Sequence, residues 1–412
     1  MEKVIKVLEV KNKSLRVLIG YLYENNIKVI CSKKFSLSIP LNDGDVLDVG
    51  ILSNDILNAM TAIKKEVGIQ YNIDDIILVL PPYGLGVYRV KKVTNTIDST
   101  NSGINHIDVK NVNSLIEKEN VPNSNVIVSI IPNYFFTEDE KRYEKAPLGV
   151  NSNILSLDAN VYTLPFKMVD DIKRAVLNAN LKINKTFVNT ICVANYLKNS
   201  KFKDNTFIYI DVGSKNTTLS VINEFKVCAC NFINIGLDNL VDSLTDEFGI
   251  DSNKAIEIRN VFGLDNSNHT YKPIICKSIK ESNEVIVNSE NLYVVVNNFI
   301  NEWIAYLSNC IKSLMSENQD YIDTISLVFN GNGLRLNGLK DRILKNFIRN
   351  NVYFLEDNVI GANISDYASL LGAITLNEDL EDNYREIIKK PNSSVLNNLT
   401  RTGGNRNEWW FR

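Results

Sequence analysis

Two stretches about 200 residues apart carry the same strand-turn-strand-strand pattern, and few folds accommodate both. Residues 5–34 hold three β-branched runs, VIKVLEV, LRVLIGYLY and IKVICSKKF, divided by short polar turns and followed by a helix-period stretch near 54–67 and the strand DIILVLP. Residues 207–234 begin the scheme again: FIYIDVG turns through SKNT into TTLSVIN, EFKVCACNFINI continues the meander, and an amphipathic helix follows near 237–248. Strands alternate with helix-period segments along nearly the whole chain, which predicts an α/β fold with crossover helices. The repeated unit predicts a duplication with a cleft between its halves; a chance likeness between two β-meanders is the alternative. Residues 85–160 break the rhythm with a loop-rich stretch, a helix around 108–119, the strand NVIVSIIP and the extended run NILSLDANVYTLP, and read as an α+β insertion.

Composition narrows the chemistry. The 412 residues hold 45 basic and 48 acidic side chains, so the total charge offers no cationic field for nucleic acid. Only two histidines occur, His106 and His269, too few for a histidine-rich metal site or relay. Six cysteines show no CxxC pair, which fits reduced thiols, and the two-residue spacing of Cys228 and Cys230 puts both on one strand face, expected to be core. No apolar run of about 18 residues is present, so neither secretion nor membrane spanning is expected.

Tight turns between strands can hold phosphates through backbone N–H groups, with a nearby carboxylate organising Mg²⁺ through its water shell. Asp211, at the end of FIYID, is the candidate for that carboxylate, and Gly213 would let backbone approach phosphate. The run Asn330-Gly331-Asn332-Gly333 after TISLVF permits close contact with a nucleoside, and is equally a good hairpin or strand-helix turn.

These residues resemble the FtsA family, the actin-like cell-division adaptors that tether FtsZ filaments to the membrane. IYIDVGSKNTTLSVI is similar to the family's second phosphate loop, INIGLDNLVDSLTDEFGI to the segment after it, SNKAIEIRNVFG to the nucleoside-contacting helix, LVFNGNGLRLNGL to the adenosine loop and DYASLLGAI to the closing helix. VIVSIIPNYFFTEDEKRYEKAPLGVNSNILSLDANVYTL resembles the family's small subdomain, the part that separates it from other actin-fold proteins. The resemblance implies a two-lobed actin-like (ribonuclease-H-like, duplicated) fold. Its first lobe would span 1–84 and 161–195 with the inserted α+β subdomain at 85–160; the second would span 196–236 and 301–375 with a small subdomain at 237–300, before a flexible tail at 376–412.

It also implies ATP or ADP with Mg²⁺ as ligand, held by Asn12, Lys13, Asp211, Gly213, Ser214, Lys215, Gly236, Lys254, Glu257, Gly331, Asn332 and Gly333. The motifs are degraded. A glycine is missing from the turn Glu9–Ser14, and where the family's second loop runs three glycines and a threonine, Gly213 is followed by Ser214, Lys215 and Asn216, while Lys254 and Glu257 exchange the family's charges. Each added side chain stands where backbone should meet phosphate, so weak or absent hydrolysis is expected, with Lys11, Lys13 and Lys215 as substitute point charges. The expected partners are the FtsZ C-terminal peptide, near 237–300, a second copy of the chain, and the inner face of the membrane at the septum. An FtsA-like pilus-assembly (PilM-type) adaptor and an actin-fold ATP-dependent enzyme or chaperone, such as a degenerate sugar kinase, remain as alternatives.

The chain ends Gly403-Gly404-Asn405-Arg406-Asn407-Glu408-Trp409-Trp410-Phe411-Arg412. Arg406, Trp409, Trp410, Phe411 and Arg412 suit the lipid headgroup boundary, where indoles sit amphipathically and cations meet anionic lipid. Only eight residues follow the glycines, too few for a stable helix, so anchoring would depend on assembly; docking of WWFR into a protein pocket is the competing reading.

Overall fold

The computed structural model describes residues 3–24, 26–68, 74–97, 103–122, 124–200, 202–264, 273–315, 325–356 and 358–385. Two compact units divide the chain, one of Met1–Asn199 with Ser369–Arg412 and one of Ser200–Ala368.

In the first unit the three N-terminal runs form β1 (Ile5–Val10), β2 (Ser14–Tyr23) and β3 (Asn26–Ser36), followed by α1 (Val49–Val67) and β4 (Asp75–Leu80). An insertion follows, with β5 (Gly86–Asn95), α2 (His106–Glu117), β6 (Asn125–Phe136), the short β7 (Arg142–Tyr143) and β8 (Ile154–Pro165). Then come α3 (Phe166–Asn178), β9 (Lys182–Val188) and α4 (Asn189–Asn199). β1, β4 and β9 run parallel and β2 and β3 return antiparallel, giving the order β3-β2-β1-β4-β9. The insertion is a separate sheet, β5-β8-β6-β7, with α2 on one face.

The second unit repeats this order. β10 (Phe207–Val212), β11 (Thr217–Asn223) and β12 (Lys226–Ile233) lead to α5 (Leu237–Phe248). α6 (Ser252–Phe262) and the hairpin β13 (Ile274–Lys280)–β14 (Asn283–Asn288) come next, then α7 (Ser289–Leu314) and β15 (Ser326–Asn330). α8 (Leu339–Asn346), β16 (Val352–Phe354) and the small hairpin β17 (Asn358–Val359)–β18 (Ala362–Asn363) lead into α9 (Ile364–Arg385). The main sheet is β12-β11-β10-β15-β16, with β10, β15 and β16 parallel and β11 and β12 antiparallel, as in the first unit. Crossover helices make the parallel part obligatory, and its strands read as continuous apolar runs because the sheet is covered on both faces: DIILVL of β4 is buried from Ile76 to Leu80.

α9 corrects the tail expected from 376. Helical sequence continues to Arg385, Leu376 and Asn377 are buried, and Glu381 pairs with Lys3 at 2.6 Å, so the acidic run starts as packed helix. Within the first unit α9 crosses α4 at Gly372, where a Cβ would overlap the carbonyl oxygen of Cys192. Three residues earlier, Ser369 Oγ donates to Glu9 Oε1 at 2.8 Å; Glu9 is wholly buried and its other oxygen faces Arg16 Nη1 at 3.5 Å, across the β1–β2 pair.

The cysteine expectation also needs correction. The register of β12 against β11 shifts at Cys228, which is exposed, whereas Cys230, opposite Ser220 with the two side chains at 3.5 Å, is partly buried and burial pushes its thiol up to about 11. A thiol-alkylating reagent at mildly alkaline pH should therefore modify Cys228 first and leave Cys192 and Cys230 protected until the chain unfolds; mass spectrometry of the labelled peptides checks the order. Gly372→Ala forces a methyl into backbone and should lower stability by about 2–3 kcal/mol or more, read from urea unfolding curves.

Candidate functional site

In each unit the candidate turn follows the first strand of the main sheet, at 11–13 and at 213–216. The first is a closed two-residue hairpin: Lys11 N–H donates to Ser14 O at 2.9 Å and Ser14 N–H to Lys11 O at 3.4 Å. Asn12, expected to meet phosphate, is instead 8 % exposed and donates its amide to the Tyr83 hydroxyl at 2.6 Å. The carbonyls of Asn12 and Lys13 accept from Leu41 N–H at 2.7 Å and Leu37 N–H at 3.1 Å. Lys13 is exposed and Lys11 half-buried. The glycine missing here is replaced by a side chain that packs inward.

In the second unit, Gly213 N–H donates to Asn216 O at 2.9 Å and closes the turn between β10 and β11. α5 starts directly against it. Leu237 N–H donates to Gly213 O at 3.3 Å and Asp238 N–H to Ser214 O at 2.7 Å, while Gly236, its N-cap, gives its own N–H to Asn239 Oδ1 at 2.9 Å. A helix N-terminus ordinarily offers such donors to anions, so a phosphate here would find these already engaged. The glycine at 236 has a steric cause: a Cβ would overlap Ser214 O and come within 2.7 Å of Asn216 N. Behind the turn, Thr217 Oγ1 donates to Ile235 O at 2.9 Å and accepts from the indole of buried Trp303 at 2.9 Å.

The run after β15 closes over the same strand end. Asp211 and Asn330 are partners in the parallel β10–β15 pair. Gly331 has φ +104°, and a Cβ on it would overlap Asp211 Oδ1 and Val212 O; one on Gly333 would overlap Val212 Cγ1. These glycines thus allow close packing of the chain on itself. Asn332 is exposed.

Asp211, Gly213, Ser214, Lys215, Gly236, Gly331 and Gly333 therefore lie about one strand end. Lys254 and Glu257 are paired with each other on α6 at 2.9 Å, a contact that raises the lysine's pKa, and no described contact ties them to the turn. Arg259, also on α6, reaches the first residue of α5. Its Nη1 lies 3.5 Å from Leu237 O, and burial lowers its pKa while the Asp238 charge opposes that shift. Sequence reasoning missed Arg259 because a basic residue in the last turn of a helix reads as an ordinary solvated cation. Arg406, Trp409, Trp410, Phe411 and Arg412 lie outside the described residues, as does His269. Among the described residues, no helix is long and apolar enough to cross a membrane.

Gly331→Ala places a Cβ against Asp211 at a backbone angle alanine resists and should cost about 2 kcal/mol or more, whereas Asn332→Ala should stay within about 0.5 kcal/mol. Thermal unfolding of the pair measures the difference.

No family model matches the chain. It is similar to the cell division protein FtsA of Enterococcus faecalis, 24% identical over 381 residues that cover 92% of this chain and 84% of that protein. It is also similar to FtsA of Bacillus subtilis, 20% identical over 62% of this chain and 57% of that protein. Among solved structures, a chain of the PilM–PilN type IV pilus biogenesis complex superposes with a TM-score of 0.61 at 12% identity, covering 92% of this chain and 99% of that one. MreB5 of Spiroplasma citri, bound to AMPPNP, gives 0.52 at 10% identity over 93% and 98%. The fold is actin-like, and by sequence the chain is a divergent relative of FtsA.

Proposed function

We propose that this chain is a cell-division adaptor of the FtsA type, which self-associates and links FtsZ filaments to the inner face of the cell membrane at the septum. One observation carries the reading: the similarity to FtsA covers 92% of the chain, too long a span to leave the inserted sheet out. The FtsZ C-terminal peptide would bind the 237–300 region, and Arg406, Trp409, Trp410, Phe411 and Arg412 would contact lipid. Immobilised FtsZ C-terminal peptide should retain the full-length protein; failure to retain it overturns the reading. Full-length protein should also pellet with anionic liposomes better than a chain ending at Thr402, and equal pelleting removes the tail from the mechanism.

The nucleotide grip in this reading is weak. In the second unit ATP or ADP with Mg²⁺ would meet the side chains of Lys215, Ser214 and Arg259, because the helix donors at Leu237 and Asp238 are already engaged. Asp211 would face the water shell of the metal. Calorimetric titration with Mg-ATP should give weak binding, and a phosphate-release assay little or no turnover; tight binding with steady release contradicts it.

A second reading, a PilM-type adaptor of pilus assembly, draws on the TM-score of 0.61 over 92% of the chain. Retention by PilN and not by the FtsZ peptide would favour it.

A further inference from the structure

The inserted sheet ends on an unusually regular edge. β5 pairs with β8 in unbroken register over ten residues, from Gly86↔Thr163 to Asn95↔Ile154, with no bulge and no proline. On the other side of β8, β6 shifts register twice. Natural sheets generally shorten, bulge or cover an edge of this length, because its backbone groups invite another strand. α2 covers a face rather than the edge: its Val109, Val112 and Ile116 share a core with Val90, Leu155, Leu157, Ala159 and Val161. Among the described residues no strand pairs with the second edge of β5.

Charge selects the occupant. Residues 86–95 include Arg89, Lys91 and Lys92 and no acidic residue. Arg89, its side chain 71% exposed, reaches Asp158 at 2.7 Å, Lys92 reaches Glu119 at 2.5 Å, and Lys91 lies over the Phe136 ring at 4.4 Å. A second copy of β5 is a poor partner: pairing about Val90 sets Arg89 against Lys91, and pairing about Lys91 sets it against itself, and like charges directly opposite destabilise a sheet.

We propose that the outer edge of β5 receives an extended acidic segment of another protein as a fifth strand, with carboxylates beside Arg89 and Lys91 and β-branched residues between them. Main-chain hydrogen bonds would supply affinity and the alternating charges specificity. Nothing in this inference depends on the adaptor reading.

The experiment uses the full-length protein and two labelled ten-residue peptides, one alternating Glu and Val and the other Lys and Val, followed by fluorescence anisotropy. The Glu/Val peptide should bind saturably and at least about tenfold more tightly than the Lys/Val peptide. Lys91→Glu, with its fold checked by circular dichroism, should weaken the first and strengthen the second. N-methylation of alternate amides in the Glu/Val peptide should abolish binding. The inference is overturned if the Glu/Val peptide does not bind, as when the cations serve only to block aggregation. Undiminished binding of the N-methylated peptide, or indifference to Lys91→Glu, overturns it equally.

Discussion

The first unit depends on one helix crossing. α9 can lie on α4 because position 372 has no side chain, and any Cβ there would enter the carbonyl of Cys192. The crossing delivers Ser369 to Glu9, a carboxylate with no exposure, where it supplies a hydrogen bond that Arg16 alone does not replace. A buried charge that loses one partner is costly, far beyond the modest net worth of the intact pair. Backbone contact at Gly372 and polar contact at Glu9 therefore support each other, and both bear on the hairpin whose tip is Asn12.

The second unit solves a similar problem differently. Its turn and the N-terminus of α5 satisfy one another: two carbonyls of the turn take two of the helix's orphan donors, and Asn239 takes a third. Polar groups that a ligand could have completed are completed from within the chain. The glycine runs follow the same logic, since Gly236, Gly331 and Gly333 are small because neighbouring backbone or side chains occupy the space of a Cβ.

Much of the fold was legible because it rests on periodicity. The strands at 5–34 and 207–234, the helices near 54–67 and 237–248 and the order that duplicates them follow from β-branched alternation and the 3.6-residue repeat. The candidate site was less so. A glycine shows that something comes close but not what: at Gly331 and Gly333 the neighbours within the chain are Asp211 and Val212. The resemblance implies a phosphate contact for Asn12, while its amide donates to Tyr83, 71 residues on, a partner that no local pattern reveals. Cys228 and Cys230 share a strand, but the register of β12 against β11 shifts at Cys228 and breaks the alternation that the two-residue spacing assumes. Glu9 was the signal left unused: a lone carboxylate within the apolar strand IKVLEV asks for a buried partner.

The tryptophan behind the second turn has an optical consequence. Two of the chain's three tryptophans are at 409 and 410, so a chain ending at Thr402 keeps Trp303 alone. That indole is buried and donates its N–H to Thr217, the residue that begins β11 directly after the turn. Its emission spectrum therefore serves as a built-in, label-free gauge of the polarity around the turn.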